Sequence, residues 1–429
     1  MNANTSLRVV TPTKIEMESS DHSKVSSVKL TGSFTTFLLT GGVYAASQWA
    51  TLIVVARMGG PENLGEYTVA LAICAPIIIF TRLNMQTVQA TDSRDEYDFG
   101  DYALARIMLT LGGLALIAGY SVFSGHPFGA ALVLIGVALF KSIESLGDIV
   151  QGLLRKHERV GAIATATHMR SITLISSVVI GIYALDSFPV GIMLVALAWW
   201  LVFASYERMQ VRKLKVSWHS TNWRRSADLA KKCFPSGLGM LLGSLTVNIP
   251  VYVIEHFMGV AQAGYYSAAA FFMALGGLVA ASLGQAVMAR LSVEFNSARE
   301  RYRVTLRTML LVSCALGGSV IVLANLIGRD TLAFLYGADY AAHEAVLLWI
   351  TVAAALSFPA TLFGLSLTIS RRFNAGLLVH IVSLAVVSIL AAIFVPSHGL
   401  VGGAWALAGG TGARVLLSGA VVFLELRAR

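Results

Sequence analysis

Residues 138–159 read ALFKSIESLGDIVQGLLRKHER and place Lys141, Glu144 and Asp148 inside an otherwise apolar segment. At about 100° per residue in an α-helix, their spacing keeps the three within an arc of roughly 60°, one polar stripe on a helix whose other faces are apolar. An unpaired charge in hydrocarbon costs several kcal/mol, between ~3 and above ~10. A stripe of this kind therefore faces protein or water, and its residues are candidates for function. A second reading competes: Lys141 and Glu144 are three apart and also suit mutual neutralisation inside a helix bundle.

Outward from this stretch the chain is apolar almost throughout. Hydrophobic residues make up 56% of the 429 residues, charged residues 13%, and mean hydropathy is +0.71, against about 25% charged in soluble domains. This composition predicts an all-α polytopic membrane protein. Twelve apolar runs reach the ~20 residues that a crossing helix needs, near 34–57, 67–90, 102–124, 128–151, 161–184, 187–207, 236–258, 264–288, 304–327, 344–368, 373–395 and 399–424. With the N-terminal segment inside, 24 Lys and Arg fall in cytoplasmic segments, only Arg57 and Arg329 fall opposite, and six lie within spans. That bias predicts both termini in the cytoplasm. The net charge of +9 is thus a topology signal, and no nucleic-acid partner is expected.

Residues 1–33 are polar and aperiodic, lack a signal-peptide pattern, and read as a disordered cytoplasmic tail. Residues 34–207 form a first six-helix bundle, 208–235 a basic cytoplasmic linker, and 236–429 a second six-helix bundle. The two halves read as a parallel repeat. Gly65, Tyr67 and Ala70 recur as Gly264, Tyr266 and Ala269, and the same offset of 199 carries Gly60 onto Gly259 and Gln86 onto Gln285. Halves related by a pseudo-two-fold axis along the membrane normal predict a cavity between them at mid-membrane. Cys74, Cys233 and Cys314 show no paired spacing, so neither a disulfide framework nor a metal site is predicted. No GxxxxGK[ST] loop occurs, which excludes nucleotide hydrolysis by that route.

Several stretches carry a family resemblance: ARMGGPENLGEYTVALAICAPIIIF (56–80), LNMQTVQATD (83–92), GLLRKHER (152–159), EHFMGVAQAGYYSAAAF (255–271), LGQAVMARL (283–291), LYGADYA (335–341) and HGLVGGAWAL (398–407). Together they resemble the polysaccharide transporter family of the multidrug/oligosaccharidyl-lipid/polysaccharide exporter superfamily. The resemblance implies two bundles forming a V that opens alternately to each side. It implies a flippase for undecaprenyl-pyrophosphate-linked oligosaccharide repeat units, serving O-antigen or exopolysaccharide synthesis at the bacterial inner membrane. The partners implied are the lipid-linked oligosaccharide, membrane lipids, a polysaccharide polymerase and glycosyltransferases. A cation-coupled multidrug exporter of the same superfamily is the alternative. A glycan polymerase or ligase is disfavoured, because the longest outside segment, GRDTLAFLYGADYAAHE (328–344), is short.

The candidate substrate-binding cations are Arg82, Lys141, Arg170 and Arg57 of the first half; arginine forks suit the oxygens of a pyrophosphate in a low-dielectric cavity. Arg57, Arg106 and Arg307 lie near span ends, where snorkelling to headgroups competes. Glu144 and Asp148 are read as orienting those cations, binding sugar hydroxyls or carrying a coupling proton. No cofactor is expected; H+ and Na+ are the coupling ions considered. Intramembrane cations beyond the carboxylates favour the flippase over the drug exporter. Pro76, Pro250 and Pro359, with the glycines between 402 and 412, let helices bend or approach closely. His168, His256 and His380 read as satisfied interior histidines, and Trp49, Trp199 and Trp200 as anchoring or lining residues.

Overall fold

The computed structural model describes the backbone of residues 13–92, 94–216 and 222–428, with side chains from Leu39 to Arg427 within those ranges. Among the described residues, ten helices are long and apolar enough to cross a membrane. The first half comprises α1 (Thr13–Arg82), the short α2 (Met85–Thr91), α3 (Phe99–Phe123), α4 (Phe128–Lys156), α5 (Val160–Val179), α6 (Phe188–Val202) and α7 (Arg208–Lys213). α5 and α6 each end in a π-helical turn, Ile180–Ala184 and Phe203–Glu207. The second half comprises α8 (Trp223–Met258), α9 (Val260–Ser297), α10 (Arg299–Tyr336), α11 (Glu344–Ile369) and α12 (Phe373–Ala428), with a 3-10 turn at Ala338–His343.

Two of these helices are pairs of limbs meeting at one glycine: α1 at Gly60 (φ 75, ψ −178) and α12 at Gly399 (φ 61, ψ −138). Between α8 and α9 the backbone reverses at Gly259 (φ 90, ψ 170). Gly60 and Gly259 share a conformation that is essentially reserved to glycine. Pro61 then opens the next limb, where its fixed φ suits a helix start and its missing N–H is not needed. The nine-residue connection expected between the first two runs is therefore a single-residue hinge.

The repeat is visible in the packing. A Cβ on Gly65 would overlap the Val260 carbonyl oxygen, and a Cβ on Gly264 would overlap the Pro61 carbonyl oxygen. Each contact maps onto the other at the offset of 199, the reciprocity that a two-fold relation between halves requires. Here the second limb of α1 crosses α9 with no side chain between the backbones, as small residues permit in membrane helices. The largest core continues across this seam, joining Val55, Tyr67, Phe140 and Trp199 to Ile254, Tyr266, Ile350 and Val395. Lipid tails are as apolar as these side chains, so cohesion comes from close packing and internal polar contacts.

Helices extend beyond the apolar runs at the charge-rich end. α8 begins at Trp223, so much of the expected linker is helix, and Arg225 reaches Asp98 (3.2 Å) and Asp101 (3.3 Å) at the start of α3. Residues 217–221 of the linker lie outside the described residues. The N-terminal stretch expected to be disordered is helical from Thr13, with residues 1–12 outside the described part; no proline or glycine interrupts it before Gly32, and extending an existing helix fixes one residue per bond gained. The second apolar run instead breaks at Leu83 and Asn84, both at positive φ (47 and 56).

Candidate functional site in the cavity between the halves

A cavity of ≈ 470 Å³ lies between the halves, walled by α1 and α4 on one side and by α8 and α9 on the other. Lys141 and Glu144 of the α4 stripe line it, and Asp148, which does not, joins them through Arg82. Lys141 Nζ lies 2.9 Å from Glu144, Arg82 Nη2 lies 3.4 Å from Glu144, and Arg82 Nε lies 3.1 Å from Asp148. Tyr44 on the first limb of α1 donates to Glu144 Oε1 at 2.8 Å, and Lys141 also donates to the Tyr44 hydroxyl at 3.4 Å. Arg82 stands at the end of α1, where the Leu83–Asn84 break stops the helix and leaves its long side chain to fold back on α4.

The opposite wall is milder. Val247, Asn248, Ser267 and Phe271 line it with no charge among them. Chemically the cavity offers one guanidinium fork and one ammonium, each held by carboxylates and reachable from the cavity, facing a largely neutral surface. Side-chain exposure is 22% for Arg82 and 19% for Lys141, so both can exchange partners with an incoming anion.

Arg170 does not join them. It pairs with Glu207 at 2.8 Å, with side-chain exposures of 3% and 1%, and neither residue lines the cavity. The guanidinium fills the space left by Gly147, and Trp199 stacks near it at 5.5 Å while donating its indole N–H to the Arg170 carbonyl. Arg57 does not join them either. It donates to the carbonyls of Ala333, Phe334 and Leu335, the last at 2.9 Å. Those carbonyls close α10, where four acceptors lack intrahelical donors and the dipole is negative, so a cation is well placed there. Trp49 makes a neighbouring link, donating to the Tyr336 hydroxyl at 2.8 Å and stacking on Phe271.

Arg106, expected to snorkel, is 1% exposed and donates to Ser145 Oγ at 3.2 Å, with Nε and Nη2 unpartnered. It is turned inward because α3 packs along α4 at this level. His168 and His256, expected as satisfied interior histidines, are exposed, and His380 lines a small separate pocket. The intramembrane cations therefore do not collect at the cavity, where Arg82 and Lys141 are matched by Glu144 and Asp148.

Tyr44 and Glu207 escaped the sequence reading. Tyr44 sits in an apolar run with no charge pattern to mark it. Glu207 is the last residue of the run 187–207, beside the basic linker, and nothing in that position marks it as the partner that the π-helical turn brings to Arg170.

No protein-family model matches the chain. A curated relative, the capsular polysaccharide biosynthesis protein CapF of Staphylococcus aureus, is 23% identical over 368 residues, covering 84% of this chain and 91% of CapF. The lipid II flippase MurJ in an inward closed conformation superposes with a TM-score of 0.73 at 15% identity, over 90% of this chain and 89% of MurJ. An inward-facing multidrug resistance MATE family transporter of the MOP superfamily gives 0.67 at 15% identity, over 92% of this chain and 94% of that one. A helical chain folded in two halves around a polar cavity, and superposing on both of these transporters along nearly its full length, has the fold of the multidrug/oligosaccharidyl-lipid/polysaccharide exporter superfamily that its sequence resembles.

Proposed function

We propose that this protein is a flippase that moves undecaprenyl-pyrophosphate-linked oligosaccharide repeat units across the bacterial inner membrane, for O-antigen, capsule or exopolysaccharide synthesis. The observation that carries this reading is the cavity wall on which Arg82 and Lys141 are held by Glu144 and Asp148 and still reach the lumen. The flippase fold of MurJ and the relationship to CapF support it. In this reading each limb on either side of Gly60 and Gly399 is its own crossing, giving twelve, with the charge-rich end and both termini in the cytoplasm.

The geometry suggests partner exchange. An entering pyrophosphate takes the Arg82 fork and the Lys141 ammonium, both better matched to phosphate oxygens than to a single carboxylate oxygen. Glu144 and Asp148, released, accept hydroxyls of the first sugars or take up protons. In the empty carrier the same carboxylates neutralise the cations, so the return step carries no uncompensated charge through the membrane. Access alternates by parting and closing the Gly65–Val260 and Gly264–Pro61 crossings.

Deleting the gene tests the cargo. Lipid-linked repeat units should accumulate on the inner face while the surface polymer disappears. Normal polymer with altered drug tolerance would instead assign the carrier to multidrug export, the reading that the MATE likeness and the cavity carboxylates favour.

A further inference from the structure

The second half holds a pocket that the transport reading leaves unused. It measures ≈ 130 Å³ and lies where the end of α11, the turn 370–372 and both limbs of α12 meet. Arg372 stands in that turn, His380 lies about two helical turns into α12, and Arg414 enters from the last limb; Thr368 and Ser418 add hydroxyls. No carboxylate lines it.

The contrast with the first half is chemical. There Arg82, Lys141 and Arg170 each meet a carboxylate, and Arg106 meets the Ser145 hydroxyl. Among the described residues, nothing accepts a hydrogen bond from the Arg414 guanidinium or forms an ion pair with it. Glu425, the carboxylate farther along the same limb, is eleven residues away, about 16 Å along the axis. A guanidinium in an apolar helix without a protein partner calls for an anion from elsewhere. α12 reinforces this, because Phe373 lines the pocket and begins the helix, so the free N–H groups and positive dipole end of its first turn add to the arginine charge.

We propose that this pocket binds a phosphate group, brought in as the headgroup of an anionic phospholipid from the charge-rich face of the membrane. Size sets the class. At ≈ 130 Å³ the pocket has room for a phosphate group, whereas a diphosphate carrying sugars suits the larger cavity between the halves. Charge sets the rest: Arg372 and Arg414 present guanidinium forks and no acid competes, and basic pockets between membrane helices on a cytoplasmic face suit lipid phosphates.

The test uses the full chain purified in detergent and in nanodiscs. Native mass spectrometry and thermal shift compare phosphatidylglycerol, phosphatidylcholine and inorganic phosphate as probes. Wild-type protein should retain phosphatidylglycerol in preference to phosphatidylcholine, and Arg414→Gln should retain it about tenfold less well. Arg414→Lys should recover part of the loss. Should Arg414→Gln not yield monodisperse protein, Gly376→Leu decides: a Cβ there meets nothing within 4 Å, so the side chain fills the pocket while both arginines stay. Retention of phosphatidylglycerol by Gly376→Leu equal to that of wild type would overturn the site, and stabilisation by inorganic phosphate equal to that by phosphatidylglycerol would overturn the lipid as its source.

Discussion

Replacing Lys141 by Met separates a substrate ligand from a structural counter-charge, and the structure sets the size of each effect. Glu144 has three partners: Lys141 at 2.9 Å, the Tyr44 hydroxyl at 2.8 Å and Arg82 at 3.4 Å. Removing Lys141 leaves two of them. Stranding a buried partner outright costs ~3–5 kcal/mol, whereas losing one charge-assisted bond of several costs about 1.5–3 kcal/mol. Because the pair is partly open to the cavity, with exposures of 19% and 12%, the expected loss falls at the lower end, ~1–2 kcal/mol. Arg170→Met is the internal standard. It strands Glu207, which is 1% exposed and has Arg170 as its salt-bridge partner, so the full ~3–5 kcal/mol applies. Membrane abundance and detergent melting temperature should therefore fall far more for Arg170→Met than for Lys141→Met. Surface polysaccharide should nevertheless be lost in Lys141→Met, and adding Glu144→Gln should not restore it. If Lys141→Met depletes the protein as severely as Arg170→Met, and Glu144→Gln brings back both abundance and export, then Lys141 serves only to neutralise Glu144 and the partner-exchange mechanism fails.

Three further outcomes follow from the same geometry. Gly65→Leu should give protein that inserts and remains folded but does not transport, since the new side chain holds α1 off the Val260 carbonyl; cysteine labelling at the charge-poor end should show it more accessible, and wild-type labelling would refute the crossing as a closure. Arg57→Ala should shift the same labelling in the same direction by a smaller amount, because Trp49 still reaches Tyr336; unchanged labelling would mean that the cap on α10 does not hold the two halves together. Asp92, outside the spans, is pushed up by burial but brought below 3.8 overall by the backbone N–H groups of Glu96 and Tyr97 and by Lys156. A depressed carboxylate contributes stability that is present above its unfolded value and lost as pH falls through the folded one, so Asp92→Asn should lower the melting temperature at neutral pH and narrow its gap to wild type in acid, and a gap that widens in acid would contradict that bonding.

How much of this was legible in the sequence follows from the range of each interaction. The stripe Lys141, Glu144 and Asp148 was readable because helical periodicity alone puts three side chains on one face, and hydrocarbon forbids that face from meeting lipid. The repeat was readable from glycines, because Gly60 and Gly259 occupy a backbone region closed to other residues, and Gly65 and Gly264 permit a backbone crossing that any side chain blocks. Which cations share a site was not readable. Arg170 and Arg82 look alike in sequence, each a lone arginine in an apolar run, yet Arg170 turns toward the π-helical end of α6 and Arg82 folds back from the end of α1. Those directions depend on where helices stop and how they pack, which local pattern does not contain.

The pairing of the cavity charges also changes what their number means. Counted along the chain, cations in the first half outnumber the obvious carboxylates, which favours an anionic cargo; in the structure Arg170 is used up by Glu207, and Arg82 and Lys141 are shared with Glu144 and Asp148. In the proposed reading, a cavity with balanced charge attracts a diphosphate less by net field than by exchange: the phosphate oxygens compete with carboxylates of which Glu144 keeps the Tyr44 hydroxyl as a partner when its cations leave. Such a site binds without becoming a trap, since the departing cargo is replaced at once by internal counter-charges. A carrier that must release its cargo on the far side gains from that, where an unpaired arginine cluster would hold the diphosphate too long.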